Sequence, residues 1–213
     1  MISKNNIAKV FRVWAHENPH PEGELAYSNH YQLLVAVVLS AQATDISVNK
    51  ATSTLFKKIS TPQDMLDFSE DRLILSIKSI GLYRSKAKHV MQLSALLINQ
   101  YDGIVPNKFE DLIQLPGVGR KTANVVLNMA FGQATIAVDT HVYRVSRRLG
   151  FSKGTTELKV EQDLLKVVPS TFLKHAHHWM ILHGRYVCKA RSPLCLSCSV
   201  AQFCRSKDKT CSS

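Results

Sequence analysis

The chain has 213 residues, 45% of them apolar and 20% charged. That is enough to bury one large core or two small ones, and it excludes a disordered or fibrous protein. A formal net charge of +11 and a pI near 9.6 point to a polyanionic partner such as nucleic acid.

No run approaches the ~20 apolar residues of a membrane span, so no membrane is expected among the partners. The opening Met-Ile-Ser-Lys-Asn-Asn has no apolar stretch of the secretory kind. The five cysteines are therefore expected in a reducing compartment, where metal or cofactor ligation is favoured over disulfides.

In chain order, Ile7, Val10, Phe11 and Trp14 fall on one helical face and predict an opening amphipathic helix, ended by Pro19 and Pro21. Residues 28–41 predict a helix buried on most sides. Asp45 reads as the N-cap of a helix running to about residue 59. Pro62 opens a short helix, and 70–77 forms another. Residues 85–101 carry Ala87, Val90, Met91, Ala95, Leu97 and Ile98 at helical spacing and stop at Asp102-Gly103. Further helices are expected over 109–115, 121–131, 139–149, 157–168 and 170–186. No run shows the sustained alternation of a strand. The fold class expected is all-α.

Between the helices at 109–115 and 121–131 lies Leu-Pro-Gly-Val-Gly-Arg-Lys-Thr-Ala, residues 115–123. Pro116 pre-sets a turn, and Gly117 and Gly119 let the backbone bend sharply and approach another surface. The free N–H groups of the helix starting near Arg120 then face an anion, and phosphate suits that place. Such a hairpin grips a nucleic-acid backbone without reading its sequence. Lys121 stands in the first turn of that helix and Asp139 lies 18 residues later. A weak internal echo pairs residues 80–87 with 116–123, each a glycine turn opening a helix.

Cys188, Cys195, Cys198 and Cys204 form a C-x6-C-x2-C-x5-C pattern. Four thiolates this close hold one metal centre, either tetrahedral zinc or a 4Fe–4S cluster, and spacing alone leaves both open. Cys211 sits in a polar tail and reads as a spare thiol. His175, His177, His178 and His183 match no common zinc spacing and read as packing and hydrogen-bonding residues.

The hairpin at 115–123, the Val-Asp-Thr-His-Val segment at 138–142, the Leu-Ser-Ala-Gln-Ala-Thr-Asp stretch at 39–45 and the cysteine pattern together resemble the endonuclease III family. These are bacterial DNA glycosylases with an associated AP-lyase activity, in the helix-hairpin-helix superfamily. The resemblance runs from the first helix to Cys204. It implies a 4Fe–4S cluster on the four cysteines. It also implies two helical domains: a six-helix barrel domain with the hairpin, residues 23–133, and a cluster domain, residues 1–22 plus 134–213, with a DNA-binding cleft between them. The implied substrate is double-stranded DNA holding damaged pyrimidines or abasic sites. A monomer in the bacterial cytoplasm is expected.

The chemistry can be built from the residues. Breaking an N-glycosidic bond builds positive charge on the sugar. An amine at C1′ displaces the base and leaves a Schiff base. Lys121 is the candidate nucleophile. With a reference pKa of roughly 10.4, its neutral form costs about 4–5 kcal/mol at pH 7. A positive helix end returns only about 0.3–2 kcal/mol, so desolvation against DNA and cations such as Arg120 must contribute. Asp139 would accept the lysine proton and stabilise the cationic sugar, and it also has the chemistry of a helix N-cap. The resemblance assigns Gln42 and Leu82 to fill the gap left by an extruded base. His141 is a candidate hydrogen-bond partner in the site. Arg144, Arg147 and Arg148 share a helical face and are candidate phosphate contacts. Lys189 and Arg191, in the loop between the first two cysteines, are stronger ones.

A non-catalytic DNA-binding protein with a redox-sensing cluster is the rival reading, and it gives Asp139 no work beside Lys121. Mismatch adenine glycosylases resemble this chain too, but carry an extra C-terminal domain and usually lack the lysine. Enzymes acting on uracil or thymine mismatches also tend to replace it.

Overall fold

In a computed structural model of the chain, residues 1–207 are described; Cys211 lies outside them. Among the described residues the structure is helical, with no strand. It divides into two compact units, Glu24–Gly132 and Met1–Gly23 joined by the chain after Gly132.

The unit Glu24–Gly132 holds α2 (His30–Leu39), α3 (Asp45–Leu55), α4 (Pro62–Phe68), α5 (Glu70–Ile77), α6 (Tyr83–Tyr101), α7 (Phe109–Leu112) and α8 (Arg120–Phe131). Its centre is α2, buried at every position from Tyr31 to Leu39. A helix apolar on all sides must be enclosed, and α3, α6 and α8 pack on it. Gln32 is the polar exception. Its amide donates to the carbonyls of Phe56 and Ile59, at 3.0 and 2.8 Å, so it stitches α2 to the turn after α3. Several boundaries differ from those read in the sequence: α2 is shorter at both ends, α3 ends at Leu55, and α6 and α8 begin at Tyr83 and Arg120. Thr44 rather than Asp45 caps α3, its hydroxyl accepting from the Ser47 N–H at 3.2 Å. Asp45 occupies the first turn, where its charge suits the helix dipole. The helix before the hairpin, α7, is a single turn rather than the seven residues expected, because residues 113–115 form turns.

One buried group here has no counterpart. Lys86 is 4% exposed, and its Nζ finds no hydrogen-bond partner among the described residues. Burial lowers its pKa. Lys86→Met keeps the chain volume and removes the unsatisfied amine, so it should stabilise the protein by about 1–3 kcal/mol at neutral pH. A denaturant titration of the two proteins checks this.

The other unit holds α1 (Lys4–Glu17), α9 (Thr140–Leu149), α10 (Glu157–Val167) and α11 (Ser170–Leu182). Ser3 caps α1 by accepting from the Asn6 N–H. The expected face of Ile7, Val10, Phe11 and Trp14 is buried. Phe11 stacks on Phe151 and Phe172 with centroids 5.7 and 5.9 Å apart. Trp179 donates its indole N–H to the Asn18 carbonyl at 2.8 Å. These aromatic contacts tie the first helix to the last third of the chain.

The helix expected over 170–186 does not continue as α. It widens into a π segment, His183–Val187, closed by the Cys188 N–H donating to the His183 carbonyl at 2.7 Å. Such turns insert one residue and so re-aim the chain beyond them.

His177, His178 and His183 are buried, in line with a packing role. Burial, with a smaller effect of His175, lowers the His178 pKa to about 4. The native state thus favours the neutral ring. Its stabilisation is present above about pH 6.5 and is lost as pH falls through about 4. Comparing pH-dependent melting of the protein and of His178→Leu should show the wild type losing about 2–4 kcal/mol more across that window.

Candidate active site and cluster site

The hairpin is built as its residues require. The Val118 N–H donates to the Leu115 carbonyl at 3.0 Å and closes the turn. Gly117 has φ +80°, and a Cβ there would meet the Cβ of His89 at 3.0 Å, so the turn rests directly on α6. Gly119 is different. Its backbone is extended, and a Cβ would meet nothing within 4 Å. Nothing inside the unit demands glycine there; bare backbone at an open surface leaves room for an external group. Gly119 is also the N-cap of α8 and offers no side-chain acceptor to the first N–H groups of that helix. Arg120 lies over the Phe109 ring at 5.0 Å, and Lys121 beside it is exposed.

The buried run Ile136–Val138 leads to Asp139, which is half-buried. Asp139 caps α9, accepting the Val142 N–H on Oδ1 at 2.8 Å. One oxygen is thereby fixed in orientation, and Oδ2 stays available to another partner. His141 Nδ1 lies 3.1 Å from Arg144.

The three arginines of α9 donate to backbone carbonyls of their own unit. Arg144 donates to the carbonyls of Cys188 and Gly184 at 2.9 and 2.7 Å. Arg147 donates to the Gly154 carbonyl at 2.6 Å. Arg148 donates to the carbonyls of Lys189 and Ala190 at 2.6 and 3.2 Å. Their donors satisfy loop and helix-end carbonyls that would otherwise be unpaired. The same bonds shape the loop that presents Lys189 and Arg191, both exposed. The sequence carried no signal for this clamp.

Gln42 and Leu82 are both exposed and both left-handed, with φ 55° and 59°. Non-glycine residues hold that conformation at a cost and cluster at functional sites. A Cβ on Gly81 would stand 4.0 Å from the Gln42 carbonyl oxygen, so the two turns are neighbours. The echo between 80–87 and 116–123 does not extend to backbone shape. Leu82 is itself the left-handed residue next to α6, whereas Gly117 stands three residues before α8.

The four cysteines line one otherwise apolar hollow, together with His183, Leu149, Val187, Pro193, Leu194 and Ala201. Burial pushes the Cys198 thiol up, and Cys188, Cys204 and Cys195 add to the effect. Thiolates gathered here repel one another unless a cationic centre joins them, so the donor set fits an iron–sulfur cluster. Among the described residues no three His, Cys, Asp or Glu side chains converge as for a single metal ion.

Residues 35–170 match the HhH-GPD superfamily of base excision DNA repair proteins, and residues 188–204 match the iron-sulfur binding domain of endonuclease III. The chain is 54% identical to an endonuclease III of Rickettsia conorii, covering 93% of this chain and 94% of that protein. It is 53% identical to the endonuclease III of Escherichia coli K12, covering 90% and 91%. The solved structure of a trapped endonuclease III–DNA covalent intermediate, an estranged-adenine complex, superposes with a TM-score of 0.90 at 48% identity, covering 96% of this chain and 97% of that one. With a cluster-binding segment and full-length likeness of this order, the chain belongs to the endonuclease III family.

Proposed function

We propose that Lys121 is the nucleophile and Asp139 its acid–base partner in base excision on duplex DNA. The chain is a bifunctional DNA glycosylase and AP lyase that removes oxidised or otherwise damaged pyrimidines and cleaves the abasic site on its 3′ side. The observation that carries the residue assignment is the pair of helix starts. Lys121 is exposed in the first turn of α8, beyond an open Gly119. Asp139 has one carboxylate oxygen pinned by the α9 cap.

The neutral Lys121 amine attacks C1′, and the glycosidic electron pair leaves with the base, which takes a proton. Asp139 accepts the amine proton and faces the positive sugar. The C1′–O4′ bond then opens, O4′ taking a proton as the nitrogen lone pair forms the iminium, which acidifies the proton on C2′. Loss of that proton drives cleavage of the bond to the 3′ phosphate, and water then releases the enzyme.

The N–H groups at the start of α8, with Gly117, Gly119 and Arg120, suit a DNA phosphate. The neighbouring turns of Gln42 and Leu82 suit the gap left by an extruded base: Gln42 offers an amide to the orphaned partner, and Leu82, 60% exposed, an apolar wedge. Lys189 and Arg191 add backbone contacts from the cysteine loop. Cys188, Cys195, Cys198 and Cys204 are the ligands of the 4Fe–4S cluster, which holds that loop in shape. The unit Glu24–Gly132 serves as the six-helix barrel domain and the other as the cluster domain. We place the protein, as a monomer, on the chromosome in the bacterial cytoplasm; among the described residues no helix is long and apolar enough to cross a membrane.

Borohydride reduction during incubation with abasic duplex DNA tests the mechanism. A covalent protein–DNA adduct is expected, and its attachment to any residue other than Lys121 would overturn the assignment.

A further inference from the structure

We propose that His183 donates an Nε2–H hydrogen bond to the sulfur of Cys198 and so sets how readily the iron–sulfur cluster gives up an electron. The inference rests on the reading of Cys198 as a cluster ligand.

His183 opens the π segment, is buried, and lines the hollow formed by the four cysteines. Its Nε2 lies 3.8 Å from Cys198 Sγ, within reach for an N–H donor to sulfur. The ring packs on the Trp14 indole with centroids 5.0 Å apart. Its position is held from below: a Cβ on Gly184 would stand 2.8 Å from the His141 Cβ and 3.3 Å from its Cα, so the π turn lies directly against α9. A bulged turn at a ligand-bearing segment is a frequent mark of function.

The ligand dictates the tautomer. A coordinated cysteine sulfur has no proton and only accepts, so a neutral imidazole facing it must carry its proton on Nε2. Hydrogen bonds to cluster sulfurs draw off electron density, favour the more reduced level, and raise the reduction potential. Arg148 supplies a second donor, 3.6 Å from Cys188 Sγ, but it also holds two loop carbonyls. His183 is the donor whose electronic effect can be isolated.

The test uses cluster-loaded wild type, His183→Phe and His183→Gln. Phe keeps a ring against Trp14 without a donor, and Gln keeps an N–H. Direct electrochemistry reads the midpoint potential, and ferricyanide, which takes one electron per cluster in the first step, reads the bleaching rate. His183→Phe should shift to lower potential and bleach several-fold faster, while His183→Gln stays near wild type. Wild-type potential in the Phe variant, or an equal shift in both, would overturn the proposal and leave packing alone. If a variant fails to load its cluster, isotope-labelled histidine in the wild-type protein decides by nuclear magnetic resonance. A His183 proton on Nε2 supports the hydrogen bond, and one on Nδ1 refutes it. Wild-type protein purified without iron or sulfide would refute the cluster reading itself, and the hydrogen bond with it.

Discussion

Lys121→Ala should abolish borohydride trapping on abasic duplex DNA and slow base release on the order of 10⁴–10⁶-fold, the scale on which loss of a covalent nucleophile is felt. The side chain is exposed at the start of α8 and belongs to neither hydrophobic core. Stability should therefore stay within about 0.5 kcal/mol of wild type. The hairpin glycines, Arg120 and the start of α8 remain, so binding to undamaged duplex weakens only by the share of one cation, seen as a salt slope smaller by about one. Single-turnover kinetics with damaged and abasic duplexes, beside a salt titration, separate the two effects. A variant that binds as wild type but still forms the adduct would remove Lys121 from the reaction.

Asp139→Asn should lower base release and strand cleavage about 10²–10⁴-fold while leaving the fold nearly intact. Asp139 does two things at once, and the substitution divides them. As a cap it accepts the Val142 N–H at 2.8 Å, and an Asn oxygen performs that equally well. What is lost is the charge near the helix start, about 0.3–1 kcal/mol, and the ability to take a proton. Asp139→Ala loses the cap as well and should cost about 0.5–2 kcal/mol of stability. Thermal melts of both variants, set against their rates, check the separation. If Asn and Ala lose rate only in proportion to stability, Asp139 is a cap and nothing more.

Both expectations are legible in the chain alone, and the reason is locality. Period-3.6 faces such as Ile7, Val10, Phe11 and Trp14 encode a buried stripe within a few residues. A Pro-Gly-x-Gly turn with a basic helix start behind it, and four clustered cysteines, are likewise written in consecutive chain. Even the unbroken apolar run of α2 announces a helix enclosed on every side.

Features set by partners distant in sequence are not legible in this way. Arg144 and Arg148 look from the sequence like a basic stripe for phosphate, because a guanidinium fork reads the same whether it will meet phosphate or carbonyl oxygen. Only folding brings the carbonyls of Cys188, Lys189 and Ala190, some 40 residues on, within hydrogen-bond distance of α9. The widening of α11 into a π segment is equally invisible in its helical periodicity. It becomes intelligible once Gly184 is seen against His141. Near neighbours and side-chain chemistry were thus enough for most of the helices, the hairpin and the cysteine set. Which donors turn inward was left to long-range packing, because a hydrogen bond is chosen by the acceptor that packing places beside it.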